Sequence, residues 1–589
     1  MALFTPSESP AVVVKEVDLT GGVPNVQSST GAIVGNYRWG PVEQRVKVSN
    51  ETDLVNTFAT PDTNNAIDFH NAAYFLRYSN ALQVVRMVDS DAHNSTASAG
   101  QTSAYGVGTY TKPVVKNKSN FDAQLSALDS DGHTFVARFP GALGNSIRVS
   151  FCPPSIGDSA FDGWTYKADF NGAPGTSTYD TNRDGTNTEV HVAVVDVNGE
   201  FTGTKGEVLE TYPFVSVASN SKNADGTTNF VKNVINERSE YVFMVDFDSD
   251  YAAANAGTDL TPGTAKTFLS TTVEAPTNYD FDSGVNSGAL GTSEFLSGFD
   301  LFEDKEQVEI DFIIVPGMNS RADQTTVAND AIAIARTTRK DCIAVTSPAR
   351  TDIVNLTNET TITNNIVATK DTLTDTSYAV IDGNYLKVYD KYNDQYIQIP
   401  AASSTAGIMA ETDRVAAPWF SPAGTRRGQY LGVTSIDYNP NKSNRDTLYK
   451  SSVNPVVNTA GSGVMLFGDK TVLSRPSAFD RINVRRLFLV LERAIARAAQ
   501  NVLFEFNDEF TRAEFVNVIE PVLRDVKARR GITDFRLVAD ETVNTPAVVD
   551  RNEFIANIFI KPARSINYVT LNFVAVRSGV EFTEVAGSV

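Results

Sequence analysis

Cysteine is nearly absent: Cys152 and Cys342 are the only two among 589 residues. They stand far apart, which excludes a disulfide framework and a multi-cysteine zinc site. Histidine is almost as scarce. His70, His93, His133 and His191 show no HxxxH or HxxH spacing, so metal and histidine-base chemistry have little to build on. Neither cysteine has a histidine near it in sequence, which leaves a thiol nucleophile unsupported. No apolar run is long enough to span a bilayer; even RLFLVLERAIARAAQ is cut by Glu492, Arg493 and Arg497. The opening MALFTPSESP lacks the basic start and apolar stretch of a secretory signal. The expectation is a chain made and folded in a cytoplasm, where the sequons at Asn50, Asn94 and Asn355 are chance matches. Positive charge is also short: 50 Lys and Arg face 70 Asp and Glu, a net −20. A nucleic-acid binder meets phosphates with Lys and Arg, so this balance argues against that role.

The usual catalytic signatures are missing as well. There is no GxGxxG after a strand and no GxSxG nucleophile elbow. GDKT at 468–471 lacks the Gly-Lys pair and the leading glycine of a phosphate-binding loop. Asp180, Asn182, Asp184 and Gly185 match the first half of an EF-hand loop. The position of the bidentate Glu holds His191, and Glu189 falls two short. A Gly/Asn/Asp turn between strands explains the same residues. The carboxylates of DFDSD at 246–250 read as a solvated loop. No cofactor is expected.

What is present is an ordinary globular balance, 41% apolar and 20% charged, in a length that suits roughly three to five domains of about 150 residues. The charge is uneven. Asp89–Phe299 holds twelve basic and twenty-six acidic residues, whereas Arg475–Val589 holds sixteen and fifteen. An acidic part facing solvent and a balanced end facing a partner fit this split, as do two unlike surfaces.

Residues 89–299 are rich in Thr, Ser, Asn, Asp and Gly, with short alternating runs such as TEVHVAVVDV and SEYVFMVDF. That texture predicts an all-β domain with long surface loops, inserted between two halves of another domain. Before it come a strand in TGAIVG, a helix capped by Ser49 or Asn50, a second helix in NNAIDFHNAAYFLRYSN and a buried strand in ALQVVRMVD. After it come QVEIDFIIVPG, ADQTTVANDAIAIARTT and CIAVTSP. This alternation predicts one α/β layer built from both sides of the insertion.

The C-terminal segment carries the strongest pattern. Ser477 with Asp480, and Thr511 with Glu514, form capping-box starts. Val484, Phe488, Leu491, Ile495, Ala498 and Val502 mark the face of a first helix. Phe515, Val518, Ile519, Val522 and Val526 mark that of a second. Pro521 should kink or split the second helix, and Gly531 is a fitting C′ residue. Strands follow in FRLVAD, EFIANIFIKPA and NYVTLNFVAVRSG. Both chain ends carry β-prone strands with no evident partner: AVVVKEVDL at 11–19 and the strand through Val569, Leu571, Phe573 and Ala575. They either pair within their own chain or add to a neighbour's sheet.

Several segments together resemble the sheath proteins of contractile phage tails: STGAIVGNYRWGP, FPGALGNSIRVS, YIQIPAASSTAGIMAETDRVAAPWFSPAG, DTLYKSSVNPVV, GVMLFGDKTV, the run Phe479–Leu491, and NIFIKPARSINYVTLNF. FPGALGNSIRVS is similar to the family's PGxxGNxIxV signature. Pro400-Ala401-Ala402 stands where the family has a Pro-Pro-Ser-type turn, and Phe467 where it often has Trp. The likeness covers most of the chain outside the acidic insertion.

The resemblance implies an α+β multidomain chain. A discontinuous α/β middle domain (23–88 with 300–455) would carry a β-rich outer insertion (89–299). An inner α/β C-terminal domain (456–589) would be completed by N-terminal (1–22) and C-terminal arm strands. It implies no enzyme but a structural subunit that stacks as hexameric rings around a tail tube and contracts. Its partners would be further copies, the tube protein, and the baseplate and tail terminator proteins, with no direct nucleic acid and no membrane insertion. The chain would belong to the virion and assemble in the host cytoplasm. Strand exchange between subunits would fall to Val12, Val13, Val14 and Val17, and to Val569, Leu571, Phe573 and Val574. Gly21, Gly22, Ser578 and Gly579 are hinge candidates. Arg524, Lys527, Arg529 and Arg530 would face the tube, although they also suit a helix C-terminus. A sheath of a pyocin-like or type VI-like device, a β-rich adhesin and an α/β hydrolase are the competing readings.

Overall fold

The computed structural model describes residues 29–97, 112–154, 160–269 and 275–565. The two arms and all four hinge candidates lie outside them. The described chain forms two compact units. One runs through Pro418 and resumes at 422–485; the other takes Trp419–Ser421 and the chain from Arg486.

The larger unit is built on a six-stranded sheet. Its strands are short and mostly apolar: Gly31–Gly35, Arg45–Val48, Leu82–Arg86, Phe312–Ile314, Ile343–Thr346 and Ala379–Ile381. Gly31–Gly35 lies at the centre, parallel to Leu82–Arg86 on one side and to Phe312–Ile314 on the other. Ile343–Thr346 and then Ala379–Ile381 extend the sheet, also parallel, while Arg45–Val48 closes the far edge antiparallel. Ala32, Ile33, Val34, Ile313 and Val345 are wholly buried, as a parallel sheet covered by helices on both faces requires. Strands from before and after residues 89–299 thus pair with one central strand. A sheet of this order usually binds ligands beyond the carboxyl ends of its first and third strands. Past the carboxyl end of the central strand the chain bonds to itself. The Asn36 backbone N–H donates to Asp68 Oδ2 at 2.8 Å, and its side-chain amide donates to the Gly288 carbonyl at 2.9 Å. Burial raises the Asp68 carboxyl to about 6.

The acidic insertion contains a four-stranded antiparallel sheet in the order Thr277–Asp280, Ile147–Cys152, Glu189–Asp196, Glu207–Ser216, and a smaller three-stranded one. It is not all-β, as its texture suggests. Helices Lys118–Ser130 and Val231–Arg238 pack into it. The first buries only Phe121 and Leu128 among thirteen residues, too few apolar positions to mark a stripe.

Trp39 and Arg86 are among the residues that bind the insertion to the layer. Trp39, in the loop after the central strand, belongs to the insertion's core and meets Phe139 and Phe201 edge-on at 5.4 and 5.1 Å. Arg86, at the end of Leu82–Arg86, is 1% exposed. Its guanidinium donates to the carbonyls of Tyr37 (2.8 Å), Gly40 (2.8 Å), Arg38 (3.4 Å) and Pro140 (2.6 Å). Burial lowers its pKa to about 9. Gly141 follows with φ +140°, and a Cβ there would stand 2.8 Å from the Arg38 carbonyl. The glycine of FPGALGNSIRVS is therefore required by a close backbone approach.

Residues 456–485 belong to the larger unit. Val456–Thr459 and Gly463–Leu466 form a hairpin, and Asn454 bridges to Asp382. In the smaller unit, helices Ile482–Gln500 (from Arg486) and Glu509–Ala528 precede a two-stranded antiparallel sheet, Ile532–Val538 with Asn557–Pro562.

Candidate assembly surfaces

The near-motifs for small-ligand chemistry are filled by the protein itself. In GDKT, the Lys470 ammonium donates to the Tyr449 carbonyl at 2.6 Å, the Thr471 hydroxyl donates to the Phe479 carbonyl at 2.9 Å, and Asp469 pairs with Arg481 at 2.8 Å. Asp180 is buried and accepts from the hydroxyls of Thr188, Ser216 and Ser221 at 2.6–2.9 Å. Asp184, at φ +61°, accepts from the Gly263 N–H. The turn reading holds for this loop. His191 lies in the strand behind it, stacked on Phe170 and Trp164. In DFDSD, Asp248 caps the short helix Ser249–Ala253. Cys152 and Cys342 are both buried, and desolvation pushes the Cys152 thiol up to about 12. Among the described residues no group of three or more His, Cys, Asp or Glu could hold a metal ion, and no helix is long and apolar enough to cross a membrane.

The smaller unit exposes what these regions bury. Its helix Glu509–Ala528 starts one turn earlier than the Thr511–Glu514 pair suggests. Asp508 is the N-cap and accepts from the Thr511 N–H at 2.8 Å. Similarly, Ser477 caps only a short 3₁₀ turn, and the helix after it begins at Ile482. Pro521 neither splits nor ends its helix, which runs through twenty residues. Phe515, Ile519, Leu523 and Val526 form the buried face, while Val518 and Val522 lie at its margins.

The helix ends on an arginine where glycine was expected. The Gly531 N–H donates to the Val526 carbonyl at 2.8 Å and the Arg530 N–H to the Lys527 carbonyl at 3.0 Å. These two bonds define a Schellman cap whose left-handed C′ position is Arg530, at φ +67°. Gly531 stands one position later because a Cβ there would lie 2.7 Å from Val526 and 3.0 Å from the Trp419 ring. A left-handed non-glycine residue costs about 1–2 kcal/mol, so this cap is not the most stable available.

The four basic residues named above gather at this end. Arg524 pairs with Glu520 at 2.6 Å, Lys527 with Asp534 at 3.0 Å and Arg529 with Asp525 at 3.7 Å. Arg529 also lies 5.1 Å over the Trp419 ring. Arg530 makes no ion pair with the described residues. The three pairs are exposed, and such pairs are worth about 0–1 kcal/mol. A partner's carboxylates can replace them at little cost.

A two-stranded sheet packs beside this helix. Phe535 lies opposite Ile560 and Leu537 opposite Ile558. Among the described residues neither strand has a second strand partner, and Phe559 is 59% exposed. A lone strand pair is marginal in water, and its free edges are templates for added strands. At the other end of the helix, Leu503, Phe504, Phe506 and Phe510 form an exposed apolar tip. Sequence reasoning missed it. The run NVLFEFNDEF reads as the end of one apolar stripe and the start of the next, but a non-helical break at 501–508 carries Leu503, Phe504 and Phe506 outward, and Phe510 is exposed on the first turn of the second helix.

Comparison with known proteins identifies the family. The family model for the phage tail sheath protein central domain matches residues 286–472, and that for the phage tail sheath C-terminal domain matches 474–575. The tail sheath protein of Enterobacteria phage T4 is 32% identical over 656 aligned positions, covering 98% of this chain and 99% of its own. That of Vibrio phage KVP40 is 30% identical, covering 98% and 99%. Among solved structures, a sheath tail protein of Listeria innocua shares the fold with a TM-score of 0.54. It is 11% identical and covers 92% of this chain and 93% of its own. A sheath tail protein of Desulfitobacterium hafniense gives 0.50 at 12% identity, over 94% and 100%. The chain belongs to the tail sheath proteins of contractile bacteriophages.

Proposed function

We propose that this sheath subunit polymerises as helically stacked hexameric rings around a tail tube and contracts to drive the tube through a bacterial envelope. The observation that carries this reading is the two-stranded sheet whose outer edges have no strand partner among the described residues, in a chain with β-prone apolar runs in sequence near both ends. Val12, Val13, Val14 and Val17 of one copy, and Val569, Leu571, Phe573 and Val574 of another, complete that sheet. A backbone hydrogen bond contributes about 0.5–1.5 kcal/mol net, so four or five per strand give roughly 2–7 kcal/mol. That holds a mesh together while subunits turn as rigid bodies. Gly21, Gly22, Ser578 and Gly579 flex.

The middle domain is discontinuous (23–88 with 300–455), the insertion (89–299) faces outward, and the inner segment carries Arg524, Lys527, Arg529 and Arg530 toward an acidic patch on the tube. The pairing of strands across the insertion supports the discontinuous middle domain, whereas the packing of 456–485 with the larger unit moves the start of the inner segment from 456 to near Arg486. Baseplate and terminator proteins bound the polymer, which assembles in the host cytoplasm.

Negative-stain electron microscopy of the purified chain over a concentration series tests the reading. Hollow, ridged tubes wider than a tail tube are expected, and a chain that stays monomeric both alone and with tubes and baseplates would overturn it. The variant Arg529→Glu/Arg530→Glu should fold and form tube-free polymer, yet fail to coat tail tubes. Arg530→Gly should relieve the left-handed cap, raise stability by about 1 kcal/mol, and still weaken coating. Normal coating by both would remove these residues from the tube contact.

A further inference from the structure

The tip between the two helices of the smaller unit has no role in the reading above. Phe504 is fully exposed, Phe506 is 85% exposed and Phe510 77%, with Leu503 beside them. Phe504 also holds φ +71°, a region that bulky side chains avoid. The loop is nevertheless fixed. The Asn507 amide donates to the Glu553 carbonyl at 2.7 Å, and Arg512 Nη1 donates to the Asn507 carbonyl (3.2 Å) and to its Oδ1 (3.0 Å). Glu553 lies just before the strand Asn557–Pro562, so these bonds hold the tip beside the open sheet. Phe515 and Phe554 lock the same corner edge-on at 5.2 Å. From 503 to 510 the chain carries Glu505, Asp508 and Glu509 and no Lys or Arg. An acidic tube patch that attracts the basic end of the helix repels this end, so the two ends suit different partners.

We propose that the tip is a clasp for the N-terminal strand of a second copy, seating one face of the strand once it has joined the sheet. In AVVVKEVDL, strand alternation places Val13, Lys15, Val17 and Leu19 on one face. That face offers three apolar side chains and one cation to a tip of four apolar side chains and three carboxylates. The Lys15 ammonium meets Glu505 or Glu509 and can also lie over an aromatic ring. The clasp rests on the strand-exchange reading, and it adds a selective element, because hydrogen bonds along a sheet edge accept any strand whereas the tip accepts this face.

Both native cysteines are buried, so introduced surface cysteines report alone. A tagged copy carrying Val13→Cys is mixed with an untagged copy carrying Phe506→Cys, or with one carrying Phe559→Cys on the sheet, and oxidised after assembly. Heterodimers with both partners are expected. Heterodimer with Phe559→Cys alone would leave strand exchange standing and overturn the clasp. Heterodimer with neither, in assembled tubes, would overturn both. Phe504→Ser/Phe506→Ser tests the clasp without cross-linking. Its monomer should melt as the parent does, since the side chains are already exposed, while the concentration needed for tube formation rises at least tenfold. An unchanged threshold would also overturn the clasp.

Discussion

Asp382 is buried between the central sheet and the helix Ala402–Val415. Its Oδ1 accepts from the Ser347 hydroxyl at 2.8 Å and the Asn384 N–H at 3.4 Å, and its Oδ2 accepts from the Thr405 hydroxyl at 3.1 Å. Burial outweighs these bonds and raises the carboxyl to about 7. A raised carboxyl binds its proton more tightly in the folded chain than in the unfolded one. Its contribution is fully present below about pH 4 and is lost as pH rises through about 7. Asp382→Asn should therefore flatten the decline in stability between these values. The amide can donate to Thr405 Oγ1, which can turn its own proton to the Tyr430 hydroxyl, 2.8 Å away. Urea midpoints at pH 5 and pH 8 check this: the variant should gain on the parent at pH 8. An equal difference at both pH values would show that Asp382 stays ionised throughout.

At the scale of the element, the helix Glu509–Ala528 shows how far local rules carry. Its buried face follows the three-and-four spacing of its apolar residues, and its existence was legible from that spacing alone. Its ends were not, because caps are chosen by competition among neighbours. Asp508 precedes Thr511 and accepts from its N–H, so the helix has already begun where Thr511 was expected to cap it. At the other end the Trp419 ring crowds Gly531, and the left-handed position shifts to Arg530. Pro521 was expected to kink or split the helix; it removes the bond to the Asn517 carbonyl without splitting the helix, and the packing of Phe515, Ile519, Leu523 and Val526 holds the turns together. Pro521→Ala restores that donor and removes the ring clash. It should raise the stability of the smaller unit by about 2 kcal/mol, read as an upward shift in melting temperature; no shift would mean that the helix has already relaxed around the proline. The helices of the insertion were invisible for the opposite reason. Lys118–Ser130 offers two buried apolar positions, and its Asn117 cap sits in a Ser- and Asn-rich stretch that reads as loop.

At the scale of the whole molecule, the layer was legible because buried parallel strands are continuous apolar runs. Its union with the insertion was not, because Arg86 and Trp39 reveal nothing about their surroundings in sequence. Arg86 turns four carbonyls from both regions toward one cation, and Trp39 leaves the layer to pack in the insertion's core. The two should unfold as one. Hydrogen exchange in rising denaturant should release the strand Gly31–Gly35 and the strand Glu189–Asp196 at the same concentration. Earlier release of the insertion strand would show that it is an independently hinged body. The proposed assembly surfaces were legible only in part. The basic end stood out by charge, whereas the aromatic tip lay hidden in the seam between two apolar stripes.

The two sealed thiols bear on the life of the particle. In the proposed assembly a tail leaves the reducing interior of its host and persists in oxygenated water, with its subunits crowded side by side in many copies. Had Cys152 or Cys342 been at the surface, slow oxidation would weld neighbours at random, and a few such welds would jam a machine whose parts must slide together. Behind closed walls, and with the Cys152 thiol held far from ionisation, the chain carries no rust points. A sheath built from it can wait a long time and still move.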